Sequence, residues 1–265
     1  MPRVDKSSHE KNQIECRKKE SIMNDALDRV KNQKWFYEFS LPDGTKTESY
    51  LPEAARQIHI TRENALRQYL SSLGDGYSTA LDVSCHEGFF TLVLSEYFKN
   101  VAGLDKNHES LDKAKQITVL LGHSEICLTN SSVELYDEKQ SADFVLCFGL
   151  LYHVENPIQI MRKLAALTKK SLCIETQVLP YNITGSVEDG SYLWQRDLNG
   201  LFGLCVDYSH SPEGGMTDLS LVPSRQAIEF LLKQFGFKAV TFYEPEPEDY
   251  EQFVRNQRVI IFAEK

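Results

Sequence analysis

The chain has 265 residues, 42% of them hydrophobic, enough for one sizeable core with an appendage, and its six cysteines are scattered without a C-x-x-C pair. That spacing supports neither zinc nor disulfides, so buried thiols in a reducing compartment and no metal site are expected. A formal net charge of −9 with a pI near 5.3 argues against a large phosphate-binding surface, and the absence of a long apolar run or leader argues against a membrane span or export; a cytoplasmic location is expected.

In chain order, residues 1–20 are polar and charge-rich, a composition expected to be frayed. From Ser21, the apolar residues Ile22, Met23, Ala26, Leu27 and Val30 recur at helical spacing and predict a short amphipathic helix. Trp35 to Tyr50 alternates aromatic and polar residues around Pro42-Asp43-Gly44, which predicts a β-hairpin. Trp35 and Tyr37 either cover a sheet face or form part of a substrate-side wall. Thr61 is a plausible N-cap for a helix carrying Ala65, Leu66, Tyr69, Leu70 and Leu73, ended by Gly74-Asp75-Gly76. Arg56, His59 and Arg62 beside its start either meet a negatively charged ligand group or form a solvated charged face. Residues 1–76 thus read as an extension to a domain at 77–265.

Ala80 to Leu92, ALDVSCHEGFFTL, reads as a buried strand, a tight turn through Ser84, Cys85, His86, Glu87 and Gly88, and a helix start at Phe89. Such a turn lets backbone N–H groups and a helix N-terminus approach a ligand closely. About twenty residues later VAGLD ends in Asp105, where a carboxylate accepts both hydroxyls of a ribose. A helix over Ser110–Leu121 and a strand over Glu125–Leu128 follow, and then Asn130-Ser131-Ser132. Phe144 to Pro157, FVLCFGLLYHVENP, is a strand running into a turn at Gly149 to His153 and a proline-started helix.

D-x-S-C-H-E-G, the strand-end Asp105 and the G-L-L-Y-H segment, in that order, resemble class I S-adenosylmethionine-dependent methyltransferases, and loosely the subgroup related to the tRNA wobble-uridine carboxymethyltransferases. The resemblance implies an α/β, Rossmann-like and mostly parallel sheet whose last strand is antiparallel, with S-adenosylmethionine as cofactor. It assigns the cofactor to Asp82, Ser84, Cys85, His86, Gly88, Asp105, Lys106, Asn130, Ser131, Ser132, Gly149 and Leu150. Tyr152 and His153 then stand beside the reacting methyl group, His153 as a base or the pair as a packed wall. In the carboxymethyl-transferring relatives, a tyrosine matching Tyr152 and an arginine matching Arg258 hold an extra carboxylate on the cofactor. The basic residue those relatives supply before the first strand has no clear counterpart here, which favours plain methyl transfer. Ser84 and His86 replace two glycines of the usual loop, which leaves open a noncatalytic cofactor-binding protein.

Helix Ile158–Leu167 and strand Ser171–Thr176 complete the alternation that a parallel sheet with right-handed crossovers requires. Residues 177–223 then form a long glycine-rich stretch with Trp194 and Arg196, expected to be a substrate cap of irregular structure. A helix from Ser224 and strands at Phe237–Tyr243 and Arg258–Ala263 close the chain. Trp35, Tyr37, His59, Arg62, Trp194, Arg196 and Arg258 are the candidate substrate contacts. The leading expectation is methyl transfer to an O or N atom of a small molecule; tRNA is a disfavoured alternative acceptor, and the sequence sets no oligomeric state.

Overall fold

The computed structural model describes residues 23–188, 195–207 and 218–265. A helix α1 over residues 23–31 leads into β1 (Lys34–Trp35), β2 (Glu48–Ser49) and the long helix α2 (Glu53–Ser72). Then come β3 (Thr79–Val83), α3 (Phe89–Ser95), β4 (Asn100–Asp105), α4 (His108–Leu120), β5 (Cys127–Asn130), β6 (Ala142–Phe148), α5 (Pro157–Leu167) and β7 (Thr168–Gln177). The cap carries β8 (Ser186–Glu188), β9 (Gln195–Asp197), β10 (Phe202–Val206) and β11 (Leu219–Pro223). It is followed by α6 (Arg225–Gln234), β12 (Ala239–Phe242), α7 (Glu251–Val254) and β13 (Arg258–Glu264).

Seven strands form one sheet in the order β12-β13-β7-β6-β3-β4-β5, parallel except for β13, which runs antiparallel to both neighbours. This is the expected α/β architecture. The chain lays down β3, β4 and β5 in one direction and then returns to place β6 on the other side of β3. Ligands bind outside the carboxyl ends of strands at such a reversal, because the two following loops diverge there.

Strand periodicity sorts the core onto two faces. Along β6, Phe144, Leu146 and Phe148 pack with Trp35, Leu66, Phe90 and Leu94, while Val145 and Cys147 pack with Leu164, Ile174, Ile228 and Ile261 on the other side. Each fully buried aliphatic or aromatic side chain contributes roughly 1.5–3 kcal/mol of transfer free energy. Helix starts follow their cap chemistry: Asn107 accepts from the N–H groups of Glu109 and Ser110, Asn156 from Gln159 ahead of Pro157, and Ser224 from Ala227.

Three expectations are corrected. The helix predicted to start at Thr61 begins two turns earlier, at Glu53 after Pro52, so Arg56, His59 and Arg62 lie on it. Buried Thr61 instead accepts the backbone N–H of Tyr250 at 2.9 Å. The predicted hairpin exists only at its tip, where Ser40 pairs antiparallel with Lys46; farther out, β1 and β2 pair parallel. The cause is a competing acceptor: Glu87 takes the N–H groups of Phe36 and Tyr37 at 2.7 and 3.2 Å, so neither is free for a partner strand. The cap is built as two antiparallel pairs, β8 with β9 and β10 with β11. Residues 1–22 lie outside the described residues, and no helix among the latter is long and apolar enough to cross a membrane.

Candidate functional site

A cavity of about 630 Å³ opens over the carboxyl ends of β3, β4 and β6. Its cofactor-type rim starts at the loop after β3. Ser84 (φ 63°), His86 (φ 50°) and Gly88 (φ 80°) all adopt left-handed backbone, so the two substituted residues hold the same path that glycine would take. For a non-glycine residue this costs on the order of 1 kcal/mol. The loop is pinned to β4 by the Cys85 N–H donating to Leu104 O at 3.0 Å and the His86 N–H donating to Asp105 Oδ2 at 2.9 Å. Gly88 is required by its conformation and by space, since a Cβ there would stand 3.2 Å from the Ala114 Cβ.

Asp105 is buried at the end of β4, and its other oxygen accepts the Asn107 N–H at 2.7 Å. Both carboxylate oxygens are thereby fixed in orientation while keeping lone pairs for a ligand. Ser131 and Ser132 line the neighbouring wall, as do Lys106, Gly149 and Leu150. Asn130 does not line the cavity: its amide donates to Asp105 O and Lys106 O, both at 3.1 Å, and so braces the β4–β5 rim. Asp82, Cys85 and Gly88 also stand behind the lining. Asp82 accepts the Thr91 hydroxyl at 2.6 Å, and burial pushes its carboxyl up to about 7 despite that bond. Burial likewise raises the Cys85 thiol well above its ordinary range.

The opposite wall comes from distant parts of the chain. Phe36 lies between two imidazoles, with ring centroids 4.9 Å from His59 and 5.0 Å from His86. Tyr37 is stacked on Phe89 and lines the cavity. Neither ring nitrogen of His59, nor Nδ1 of His86, has a hydrogen-bond partner. Burial lowers both imidazoles, His59 to about 2 with Arg62 adding to the effect, so both are neutral. His59 packs behind Phe36 and Tyr37 instead of lining the cavity, and Trp35 is fully buried with its indole N–H on Val30 O at 2.9 Å. Trp35 is core because a buried indole takes whichever acceptor the preceding helix end offers.

Past β6, Gly149 (φ 75°) turns the chain into one 3-10 turn, Leu151–His153. Tyr152 and His153 both face the cavity, and His153 Nδ1 lies 2.8 Å from Asp207 Oδ2 at the end of β10. The cap holds that turn a second time, through the Leu221 N–H on Val154 O at 3.1 Å. Beyond Tyr152 stands a buried triad. Arg62 Nη2 and Arg258 Nη1 contact the two oxygens of Glu175 at 2.5 and 2.7 Å, and the Arg258 guanidinium lies 4.7 Å from the Tyr152 ring centre. Burial would raise the Glu175 carboxyl, but Arg258 and Arg62 together hold it below its usual range.

Most predicted residues therefore converge on one cavity, and the exceptions have physical reasons. Arg196 is exposed on β9, away from the lining, on a two-stranded pair separate from the main sheet; Trp194 lies outside the described residues. Of the predicted cap, only Gln177, the last residue of β7, lines the cavity among the described residues. Sequence reasoning missed Glu175, Asp207, Phe36 and Glu87. Glu175 carries a detectable signal, a charge directly after the apolar run Leu172-Cys173-Ile174 of a buried strand, whereas Asp207 sits in a glycine-rich stretch where one acid resembles any other.

The profile of a methyltransferase domain family matches residues 56–242. A ubiquinone biosynthesis O-methyltransferase of Vibrio vulnificus (strain YJ016) is 32% identical over 111 residues, 40% of this chain and 47% of the relative; the chain thus spans about half the length of the curated relatives it matches. Among solved structures, the N-terminal domain of EvdMO1 with SAH bound superposes with a TM-score of 0.68 at 18% identity, covering 93% of this chain and 96% of that one. Magnesium protoporphyrin IX methyltransferase from Synechocystis PCC 6803 with bound SAM gives 0.54 at 14% identity, covering 82% and 86%. At these identities the structures establish the fold. Since the family profile covers most of the chain, including the loops after β3, β4, β5 and β6 that line the cavity, the protein belongs to the methyltransferase domain family.

Proposed function

We propose that this protein transfers a methyl group from S-adenosylmethionine to a hydroxyl oxygen of a small-molecule acceptor. The observation that carries the reading is His153, which faces the cavity while Asp207 occupies its Nδ1 at 2.8 Å. Asp207 selects the tautomer with hydrogen on Nδ1, which leaves Nε2 as an acceptor for a hydroxyl proton, and stabilises the imidazolium that results. The curated relatives being O-methyltransferases supports oxygen over nitrogen as the atom modified.

The residues of the rim fit the cofactor. Asp105 offers oriented carboxylate oxygens to a ribose, Ser131 and Ser132 offer hydroxyls toward a base, and the Ser84–Gly88 loop with the unpartnered His86 Nδ1 offers polar atoms to an amino-acid end. When bound, the cofactor supplies a methyl group on a sulfonium centre. The protein's part is alignment: Gly149 and the 3-10 turn set Tyr152 and His153 against the rim, and Phe36, Tyr37 and Phe148 exclude water. Incubation with methyl-labelled S-adenosylmethionine and a low-molecular-weight metabolite extract should label a small molecule, and His153→Ala should abolish the label without abolishing SAH binding. Label confined to RNA or protein would sink this reading.

A second reading, tRNA wobble-base carboxymethyl transfer, is favoured by one observation, the stacking of Arg258 on Tyr152 at the cavity wall. Label appearing in bulk tRNA from a carboxylated cofactor would promote it. A noncatalytic cofactor-binding role is the third reading, and turnover of any acceptor rejects it.

A further inference from the structure

The triad at the inner end of the cavity is unbalanced. Arg62, Arg258 and Glu175 are 4%, 6% and 0% exposed, so two guanidinium charges face one carboxylate in a region where solvent does little screening. The other acids on the cavity wall do not compensate: Asp105 belongs to the opposite rim, and Glu134 and Glu155 are exposed at the mouth. His59, packed against Phe36 and Tyr37 nearby, is neutral and adds no charge. Arg62 Nε is also buried without a hydrogen-bond partner, an atom that a folded protein seldom leaves so unless a ligand completes it. One anionic group would balance the charge and satisfy that donor.

Position on the sheet says which ligand brings it. The residues suited to the cofactor follow β3, β4, β5 and β6, whereas Glu175 lies near the end of β7 and Arg258 begins β13. Asp105 and Arg258 are separated by four strand spacings, roughly 19 Å at about 4.8 Å each. Tyr152, His153 and the Gly149 turn lie between them, and Arg62 reaches across to within 3.6 Å of where a Gly149 Cβ would stand. Arg258, and with it the Glu175 end of the triad, is therefore well removed along the sheet from the Asp105 rim.

We infer that Arg62 and Arg258 form an anion subsite that receives a carboxylate carried by the methyl acceptor, with Glu175 as the internal counterion that sets both guanidinium planes. The inference rests on the methyltransferase reading and narrows its substrate class to hydroxylated carboxylic acids. A single carboxylate matches the single excess charge, and guanidinium forks suit its geometry. Aromatic lining by Phe36, Tyr37 and Tyr152 favours a flat acceptor body.

The test uses the full chain and two isosteric probes, 3,4-dihydroxybenzoate and 3,4-dihydroxybenzamide, titrated calorimetrically into protein saturated with SAH. The acid should bind about tenfold or more tightly than the amide, as one charge-assisted bond requires. Arg258→Met should bring the acid down to the amide's affinity with SAH affinity unchanged, and Arg258→Lys should restore part of the preference. Equal binding of acid and amide by the wild type overturns the inference. So does an Arg258→Met protein that loses SAH affinity and keeps the acid preference, which would assign the charge to the cofactor. Urea unfolding separates a structural role: removing Arg258 costs its bonds to Glu175 and Gln252 but leaves a charge-balanced Arg62–Glu175 pair, so its midpoint should fall clearly less than that of Glu175→Gln, which strands two cations. Equal losses from both substitutions would mark the triad as structural and defeat the proposal. Failure of the wild type to bind SAH at all would strike at the methyltransferase reading itself.

Discussion

The two sides of the cavity are built on different principles. On the cofactor rim, contacts are short in sequence: Asp105 reaches 19 residues back to the His86 N–H and two forward to Asn107. On the acceptor wall they are long: Arg62 meets Glu175 across 113 residues, Arg258 meets Glu175 across 83, and His153 meets Asp207 across 54. The rim offers backbone N–H groups whose directions are set by three left-handed residues, so its geometry is a property of one loop. The wall offers side-chain charges and aromatic faces brought together by α2, β7, β13 and the cap, so its geometry is a property of the whole fold. In the proposed reading, methyl donor and acceptor can then share one cavity without constraining each other.

The sharpest way to break this division is to remove one group from each side. His153→Ala takes the proposed base from the wall, and kcat should fall by roughly 10²–10⁴, the usual worth of a positioned base, with the SAH dissociation constant unmoved. Asp207→Asn should give a smaller loss, because the imidazole keeps a partner for Nδ1 and loses only the charge that favours the imidazolium. Asp105→Ala does the converse. It removes the acceptor for two loop N–H groups together with the expected ribose contacts, and SAH affinity should drop by roughly 10²-fold or more on about 1.5–3 kcal/mol per charged hydrogen bond. If His153→Ala weakened SAH as much as it slowed turnover, the separation of rim and wall would be wrong.

The same contrast explains what could be read in the sequence. Asp105 and Gly149 on the cavity lining, and Gly88 in the turn behind it, have positions that the sequence makes legible, because strand-end acids and turn glycines carry their meaning in neighbouring residues. Asn130 lies off the cavity for a related reason: an amide on the last residue of a strand can equally face a ligand or brace the rim, and here it bonds Asp105 O and Lys106 O. Arg62 and Arg258 were legible as candidates, but their common partner Glu175 was not, since pairing depends on β13 turning antiparallel beside β7. The hairpin at Trp35–Tyr50 failed for the same cause, because Glu87, about fifty residues away, claims the backbone donors of Phe36 and Tyr37. Local patterns specify the sheet and its rim; the wall is specified by pairs that no window contains.

Asp82 tests the rim from beneath. Its carboxyl titrates at about 7 in the folded chain against 3.8 ordinarily, so between those values the folded state holds a proton that the unfolded state has released. The contribution of Asp82 to stability then falls as pH rises from about 4 to 7, by up to roughly 4 kcal/mol at about 1.4 kcal/mol per unit. Asp82→Asn keeps an acceptor for Thr91 and removes the titration. Denaturation curves across this range should show the variant gaining on the wild type as pH rises. Parallel pH profiles for the two proteins would mean that Asp82 ionises as an ordinary carboxyl.

The smallest effect belongs to the loop itself. Ser84 sits at φ 63° and lines the cavity, and Ser84→Gly removes a Cβ that this conformation disfavours. Two terms oppose: relief of about 1 kcal/mol of strain, and the extra freedom glycine gives the unfolded chain, roughly 0.4–1 kcal/mol. The net change in unfolding free energy should therefore lie within about 0.5 kcal/mol of zero. His86→Gly differs because the imidazole ring packs at 5.0 Å from Phe36, and its loss removes one face of the aromatic wall. A clear destabilisation by His86→Gly beside a neutral Ser84→Gly would show that His86 joins the two regions, its backbone serving the rim and its ring the wall.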